Sequence, residues 1–234
     1  MELKNLKKES VVQQIIDVIT QAIVDGQLKP GDQLPTEIEM STRMGVARSS
    51  VREAVKILTY LGVLESKRSE GTFVCSGFRD SMIDPMIYGV LLHQDSFDDL
   101  MELRQMLETG TMRLAVQKAT EEDLEDLRAL LEEMRRLVDS DEEIAEEFFR
   151  VDNAFHDRIQ QMGRNPLADK INRVVRTLTY AMRHDTVAAM ISSGRGKELA
   201  EAHARIYEIL RSGDTSHLDE DMEGTYFRDV LENQ

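Results

Sequence analysis

Residues 26–74 read GQLKPGDQLPTEIEMSTRMGVARSSVREAVKILTYLGVLESKRSEGTFV, and this stretch decides the fold of the N-terminal third. Two glycines and two prolines among its first ten residues predict an ordered loop. Thr36 then opens a helix, with Glu39 in the capping-box position, and Gly45 ends it. A further helix runs to Gly62, because apolar residues recur with helical spacing at positions 51, 54, 55, 58 and 61.

The periodicity changes after Gly62. Two short apolar runs, 63–64 and 72–74, flank a charged stretch that ends in Gly71, which predicts a small β-hairpin. An amphipathic helix with Ser10 as its N-cap precedes the loop. Two helices joined by a tight glycine turn and followed by a wing are typical of a winged helix-turn-helix. We therefore predict this domain in residues 1–75, followed by a linker in 76–79.

Residues 80–234 carry helical periodicity only. Short breaks with cap or turn residues separate the helical segments, which implies antiparallel neighbours packed as a bundle. The predicted segments are about 80–93, 97–118, 121–137, 141–162, 166–190, 196–212 and 217–231. The predicted fold class is thus mainly α, with an N-terminal winged helix-turn-helix, a small β-hairpin wing and a C-terminal all-α antiparallel helical bundle.

The charge of the chain is distributed unevenly. The 234 residues have a formal net charge of −15, yet residues 1–78 contain 10 basic and 10 acidic side chains. The remaining 19 basic and 34 acidic side chains lie in residues 79–234. A body with that charge repels polyanions, so any contact with nucleic acid should be confined to the N-terminal domain.

Cysteine content and hydropathy limit the class of protein. The single cysteine, Cys75, excludes an intrachain disulfide and every cysteine-cluster metal site. No apolar run approaches the roughly 18 residues of a membrane span, and the N-terminus lacks the unbroken apolar core of a signal peptide. We therefore expect a cytoplasmic protein with no membrane partner.

The start of the third helix carries candidate DNA contacts. A recognition helix presents its N-terminal residues to the major groove, where arginine can pair with guanine and serine can bond phosphates or base edges. Cations in the wing could reach a flanking phosphate. An ordinary helical domain with solvated cations would show the same pattern, so these residues alone leave both interpretations open. The residues concerned are Ala47, Arg48, Ser49, Ser50, Arg52, Lys67 and Arg68.

The motifs of residues 26–74 resemble the DNA-binding domain of GntR-family bacterial transcription regulators. The family pattern runs G-x-L-x-x-G-x-x-L-P-[ST]-E, then L-G-V-S-R-x-x-V-R-E-A-L, and closes with G-T-F-V. The resemblance implies binding to double-stranded operator DNA and places the recognition helix and the wing glycine at the DNA. The full candidate set is Thr36, Arg43, Ala47, Arg48, Ser49, Ser50, Arg52, Lys67, Arg68 and Gly71.

Three positions depart from the family pattern. Ala47 stands where serine or threonine is usual, which removes one phosphate bond. Ile38 stands where some relatives carry a DNA-contacting arginine. Glu70 precedes the wing glycine where relatives often carry a cation, so we expect weaker wing contact, with Lys67 and Arg68 compensating.

The helical two-thirds contains one polar cluster of interest. Asp152 and His156 are four residues apart, which places them on one face of a helix, and His203 lies on another helix. A carboxylate and imidazoles from facing helices can bind a divalent metal. The spacing alone favours a structural Asp–His pair inside the bundle. A di-iron carboxylate site is excluded, because Asn153 and Ala200 stand where Glu-x-x-His requires glutamate.

Residues 80–231 resemble the FCD domain, the all-helical ligand-binding domain of the FadR branch of the GntR family. The motifs are LMELRQMLE, D-x-x-x-H, Asn165-Pro166-Leu167 and A-H-x-x-I-x-x-I-L-x-x-G-D. Metal-binding members use the aspartate, the following histidine, a histidine like His203 and a final histidine. Thr225 and Tyr226 stand near that last position, so the implied ligand set lacks its fourth histidine.

The resemblance and the residues together predict a transcription regulator that is a homodimer and has no catalytic residues. No cofactor is certain, and the candidate metal is Zn or Ni, held by Asp152, His156 and His203. The same three residues and Arg104 form the predicted site for a small effector, an organic or sugar acid. A structural ion pair with a glutamate explains Arg104 equally.

Two alternative functions stay open at this point. One is a helical-bundle metalloenzyme that uses the same acid and two histidines, although no nucleophile or phosphate-binding motif supports covalent catalysis. The other is a DNA-binding protein whose C-terminal bundle only dimerises. A polar cavity in the bundle would favour an effector sensor, and a filled apolar interior would favour a dimerisation domain.

The charge distribution makes a testable prediction about salt. Only a handful of cations per subunit are available to DNA, so a dimer should lose affinity with log salt concentration at a slope below about 10. Operator binding measured across a salt series gives this slope. A markedly steeper slope would show that the acidic C-terminal part also contacts DNA.

Overall fold

The computed structural model describes residues 10–92, 96–140, 144–225 and 227. They form two compact units, which divide between Val90 and Leu91. The first unit contains three helices, a two-stranded hairpin, a 3₁₀ turn and nearly all of a fourth helix, and the second is helical throughout its described part. The predicted fold class is confirmed. The predicted domain limits at residues 75 and 80 stay a prediction, and the division between the units falls inside a helix.

Local sequence signals set the helices of the first unit. Helix α1 spans Val11–Val24, α2 spans Glu37–Met44 and α3 spans Arg48–Tyr60. The Ser10 side chain accepts the backbone N–H of Gln13, as its predicted N-cap role requires. Thr36 and Glu39 form the complete capping box, and Gly45 ends α2 in the left-handed conformation at φ +66°.

The wing follows α3 directly. Strands β1 (Leu64–Lys67) and β2 (Gly71–Val74) pair antiparallel, with Leu64 opposite Val74. Both of these side chains are buried beneath the apolar faces of α1 and α3, so the wing and the helices share one core. Its buried members are Ile15, Ile19, Leu34, Met40, Val51, Ala54, Val55, Leu58, Leu64 and Val74.

A 3₁₀ turn, Asp80–Met82, leads into helix α4 (Ile83–Leu91), at whose end the two units divide. The second unit is a bundle of helices with short connections. Its helices are α5 (Ser96–Lys118), α6 (Glu121–Val138), α7 (Ala145–Met162), α8 (Pro166–Leu178), α9 (Tyr180–Ser192), α10 (Gly196–Ser212) and α11 (Leu218–Glu223). None of the helices in the described part is long and apolar enough to cross a membrane.

The sequence predicted one helix over residues 166–190, and this prediction was wrong. The structure has two helices there, α8 and α9. They meet at Thr179, which is buried and whose hydroxyl donates to the carbonyl of Val175 at 2.9 Å. Hydroxyl groups that bond back to the preceding turn bend helices. The break allows α8 to pack against α5 while α9 packs against α7.

The buried acid Asp123 joins helix α6 to helix α7 and to the loop that follows α7. As third residue of α6 it completes a capping box with Thr120, and it also contacts Arg158 of α7 at 3.0 Å and Arg164 of the α7–α8 loop at 2.8 Å. Burial favours the protonated form, but the hydrogen bonds from Thr120 and Arg164 outweigh it and lower the pKa of Asp123. At neutral pH the carboxylate is therefore ionised and accepts hydrogen bonds from Thr120 and Arg164.

Replacing Asp123 by asparagine should lower the free energy of unfolding by about 2–3 kcal/mol, since it weakens a cap and leaves Arg158 and Arg164 without their buried partner. Asp126→Asn is the matched control, because its carboxylate also contacts Arg158 but is largely exposed. That change should cost under about 1 kcal/mol. Equal losses for the two variants in urea unfolding would contradict the role given to Asp123.

Candidate functional sites

The structure places the candidate DNA contacts at the surface of the first unit. All ten are exposed except Ser50, which is half-buried. Arg48 and Arg52 lie one turn apart on α3, and their side chains are 54% and 50% exposed. Long cations with this freedom can reach a ligand without disturbing the core beneath them.

The N-terminus of α3 has no side-chain cap. Ala47 occupies the N-cap position and cannot accept a hydrogen bond from the first-turn amides. Because Ala47 and the two residues after it are exposed, those N–H groups are accessible to an external acceptor. Helix N-termini favour phosphate oxygens for this reason. The departure at Ala47 thus removes a hydroxyl but exposes backbone donors.

Glu37, the first residue of α2, holds the two arginines of α3 and was missed in the sequence analysis. Its carboxylate accepts Nε of Arg48 at 3.3 Å and contacts Nε and a terminal nitrogen of Arg52, each at 3.1 Å. The hydrogen bond from Arg52 is the main reason that the pKa of Glu37 is lowered, against the opposing effect of burial. Glu37 lies 11 positions before Arg48 and 15 positions before Arg52 in the chain, and no local spacing rule predicts contacts at these separations.

The wing tip is fixed by contacts to the loop before α2. The Gln33 side-chain amide donates to the carbonyl of Glu70 at 2.6 Å, and Gly71 has φ +126°, a conformation that favours glycine. A Cβ at Gly71 would lie 2.5 Å from the Gln33 amide. Lys67 lies over the Phe73 ring at 4.8 Å from its centroid, which keeps this wing cation close to the strand.

In the second unit, the structure brings the four predicted effector residues to one cavity of about 50 Å³. Arg104 comes from α5, Asp152 and His156 from α7, and His203 from α10. The remaining walls come mainly from α9 and from the residues after α11. They are Met182, Arg183, Thr186, Val187, Leu199, Ile206, Thr225 and Phe227.

Asp152, His156 and His203 form the closest cluster in this cavity. One ligand atom from each lies within 4.8 Å of the others. Nε2 of His203 is 2.9 Å from Oδ1 of Asp152, and Nε2 of His156 is 3.7 Å from the same oxygen. Asp152 and His203 are buried, and one side of His156 reaches the cavity, so the cluster faces inward.

Both ring nitrogens of His203 face oxygen acceptors. Nδ1 is 2.8 Å from the carbonyl of Leu199, and Nε2 faces Asp152. A neutral imidazole has only one N–H, so either tautomer directs a lone pair at an oxygen. The two oxygens hold the ring in a fixed orientation, with Nε2 directed at the Asp152 carboxylate. This is the donor arrangement of a metal ligand oriented by its backbone carbonyl.

Burial shapes the protonation states of the cluster. Desolvation favours the neutral form of Asp152, but the hydrogen bond from His203 and the charge of Arg183 hold the pKa of Asp152 well below its usual range. For His156, desolvation dominates over the attraction of Asp152 and lowers the pKa to about 3. His156 is thus neutral at pH 7, with a lone pair available to a ligand.

Arg183 is a cavity residue that the sequence analysis missed. It is 7% exposed, and its Nε has no hydrogen-bond partner among the described residues. One terminal nitrogen donates to the Asn153 side chain at 2.8 Å and lies 3.8 Å from Asp152. In the sequence, Arg183 could have been found from its position on an apolar stripe of the helix that continues at Val187 and Met190.

The unusual surroundings of Arg183 affect its charge. Desolvation, reinforced by the charges of Arg176 and Arg104, lowers the pKa of Arg183 to about 10. The guanidinium is still protonated at pH 7, so an incompletely paired cation lies in the wall of the cavity. Buried cations without full pairing are costly, and an anion entering the cavity would relieve that cost.

Arg104 has the ion pair that the sequence analysis left open. Its Nε donates to Oε1 of Glu108, one turn later on α5, at 2.8 Å, and both side chains are mostly buried. Arg104 also lines the cavity, so the structural pair and the cavity position occur together. Glu108 neutralises part of its charge, which makes Arg183 the less compensated of the two arginines.

Thr225 and Tyr226 stand near the position at which the resemblance implies a final metal-binding histidine. Thr225 lines the cavity, and its hydroxyl donates to the carbonyl of Met222 at 2.7 Å. Tyr226 lies outside the described residues. His184 is bound to Glu146 on the surface at 2.7 Å, and His217 lies in a different, open cleft. Neither histidine joins the cluster around Asp152.

Two family profiles match this chain, one in each unit. The profile of the bacterial regulatory proteins of the gntR family matches residues 11–74, and the FCD domain profile matches residues 99–223. The HTH-type transcriptional regulator LutR of Bacillus subtilis is 33% identical over 82% of this chain and 86% of its own length.

Further relatives carry descriptive names. The Glc operon transcriptional activator of Escherichia coli is 26% identical over 87% of this chain and 81% of its own length. The galactonate operon transcriptional repressor of Escherichia coli is 24% identical over 86% of each chain. Both are similar to this chain across its two units.

Among solved structures, a GntR protein of Streptococcus agalactiae aligns over 95% of this chain and all of its own, with a TM-score of 0.54 and 22% identity. That likeness concerns the fold. With profiles covering both units and a relative that is one-third identical over most of its length, the chain belongs to the GntR family of bacterial transcription regulators, as a DNA-binding protein with a C-terminal FCD effector-binding domain.

Proposed function

We propose that this regulator is a cytoplasmic, non-enzymatic homodimer that binds operator DNA through the candidate set on α2, α3 and the wing. Its operator affinity responds to a small carboxylate bound in the bundle cavity. The observation that carries the effector assignment is Arg183, buried at the cavity with an unpartnered Nε. Coupling free energies between such sites are typically about 1–3 kcal/mol.

The charge of the cavity supports an anionic effector. Two guanidinium groups, Arg104 and Arg183, and one carboxylate, Asp152, line it, and His156 is neutral. A guanidinium fork suits a carboxylate geometrically. The volume of about 50 Å³ favours a small organic acid. The name of the galactonate operon repressor connects one relative to a sugar acid, which agrees with this class.

A divalent metal fits the cluster of Asp152, His156 and His203. The donor set of one carboxylate and two imidazoles suits Zn or Ni, and the Leu199 carbonyl orients His203 as it would orient a metal ligand. When bound, such an ion would add positive charge for holding the effector's carboxylate. With Thr225 in place of a fourth histidine, the coordination shell would be completed by water or effector oxygens.

The alternative functions receive less support. A domain that only dimerises does not need a polar cavity with a buried, incompletely paired arginine. A metalloenzyme would share the three-ligand cluster, but the relatives that match both units are named as regulators. We therefore assign the cluster to binding, in agreement with the family.

A thermal-shift screen against organic and sugar acids tests the effector site. An acid at 100 times its Kd should stabilise the protein by about 2.7 kcal/mol, and Arg183→Met should abolish that shift while the unliganded protein stays folded. Arg211→Met is the control, because Arg211 is exposed on α10 and pairs with Glu208. A full shift that persists in Arg183→Met would contradict the assignment.

Metal titration tests the cluster separately. Zn or Ni should bind the purified, chelator-treated protein in calorimetry at about one ion per subunit, and Asp152→Asn should weaken that binding at least tenfold. His217→Asn is the matched control, since His217 lies outside the cavity. Removal of the metal by EDTA should be easy, because the fourth histidine is missing. Equal binding by Asp152→Asn would refute the metal site.

A further inference from the structure

The contact between Glu37 and the two arginines leaves part of each guanidinium available. Glu37 engages Arg48 through Nε alone, so both terminal amino groups of Arg48 lie beyond this contact. It engages Arg52 through Nε and one terminal nitrogen. A two-pronged bond to guanine needs two adjacent N–H groups, and the edge formed by the two terminal nitrogens still offers such a pair on both arginines.

The same contact changes the charge that DNA would meet. Arg48 and Arg52 are one helical turn apart and repel each other, and the carboxylate between them stabilises the pair. One net positive charge is left where two would otherwise stand. Because binding to non-operator DNA depends almost wholly on phosphate contacts, the carboxylate should weaken it more than it weakens base-reading contacts.

We propose that Glu37 is a positioning residue that sets the selectivity of this regulator for its operator. Its carboxylate holds Arg48 and Arg52 from their Nε sides and leaves the terminal amino edge of each available to a guanine edge or a phosphate. Its charge also disfavours binding to unrelated DNA. The inference rests on the proposed function in one respect: Arg48 and Arg52 must contact DNA.

The test compares operator and non-operator affinity at one fixed salt concentration. The full-length wild-type protein first selects its operator from a random-sequence duplex library. The measured quantity is then the ratio of the two Kd values, non-operator over operator. Glu37→Gln should tighten non-operator binding several-fold and reduce the ratio by about tenfold, which is within the discrimination of one bidentate contact.

Two further variants separate position from charge. Glu37→Asp keeps the charge but shortens the side chain, so the ratio should fall while non-operator affinity stays at the wild-type level. Glu53→Gln is the matched control, because Glu53 is an exposed acid on α3 that makes none of the contacts described here. Its ratio should change less than twofold. The Thr36–Glu39 capping box remains in every variant, so all of them should fold.

The outcomes distinguish this inference from the proposed function. An unchanged ratio in Glu37→Gln and Glu37→Asp, or an equal fall in Glu53→Gln, would overturn the role of Glu37. Arg48→Ala and Arg52→Ala report on the DNA contacts themselves. Unchanged operator binding in both would overturn the DNA assignment, whereas weakened binding with an unchanged Glu37 ratio would overturn only the positioning role.

Discussion

Burial of the Asp152 carboxylate is the constraint that organises the effector domain. Moving an ionised carboxylate out of water costs several kcal/mol unless partners replace its hydration. Here the partners come from three helices: His156 from the same helix α7, Arg183 from α9 and His203 from α10. Because all three must reach one carboxylate, their positions relative to one another are fixed by the packing of those helices.

That constraint explains why a polar cavity persists in an otherwise apolar bundle. Phe148 and Phe155 contact the His203 ring edge-on and fix its plane, and the backbone carbonyl of Leu199 fixes its rotation. Asp152, His156 and His203 contact one another, while Nε of Arg183 has no hydrogen-bond partner among the described residues. The site is therefore rigid in geometry but incompletely paired in charge, which suits a receptor for an ion.

The sequence predicted what depends on neighbouring residues along the chain. The caps at Ser10 and Thr36 and the shared face of Asp152 and His156 follow from local spacing. The break at Thr179 was missed, because periodicity alone continues through a buried threonine that bends the helix. Glu37 was missed because its role depends on a contact between separate helices, for which single-sequence spacing carries no signal. Arg183 lies on an apolar helix stripe, which marks it as inward-facing, but the side chains that surround it come from other helices and cannot be read from spacing.

The two units use the same electrostatic arrangement. In the first, Glu37 holds Arg48 and Arg52, and in the second, Asp152 and Glu108 hold Arg183 and Arg104. A carboxylate beside a guanidinium restricts the rotation of the arginine side chain, so less conformational entropy is lost when an anion binds. The carboxylate also cancels part of the positive charge, which lowers the affinity of the arginine for any anion. What is gained is selectivity: only an anion with the geometry to use the remaining N–H groups is bound well. Phosphate oxygens can also accept two N–H groups, so discrimination against a phosphate backbone comes from the subtracted charge, whereas a base edge is read by the fixed direction of the remaining N–H groups.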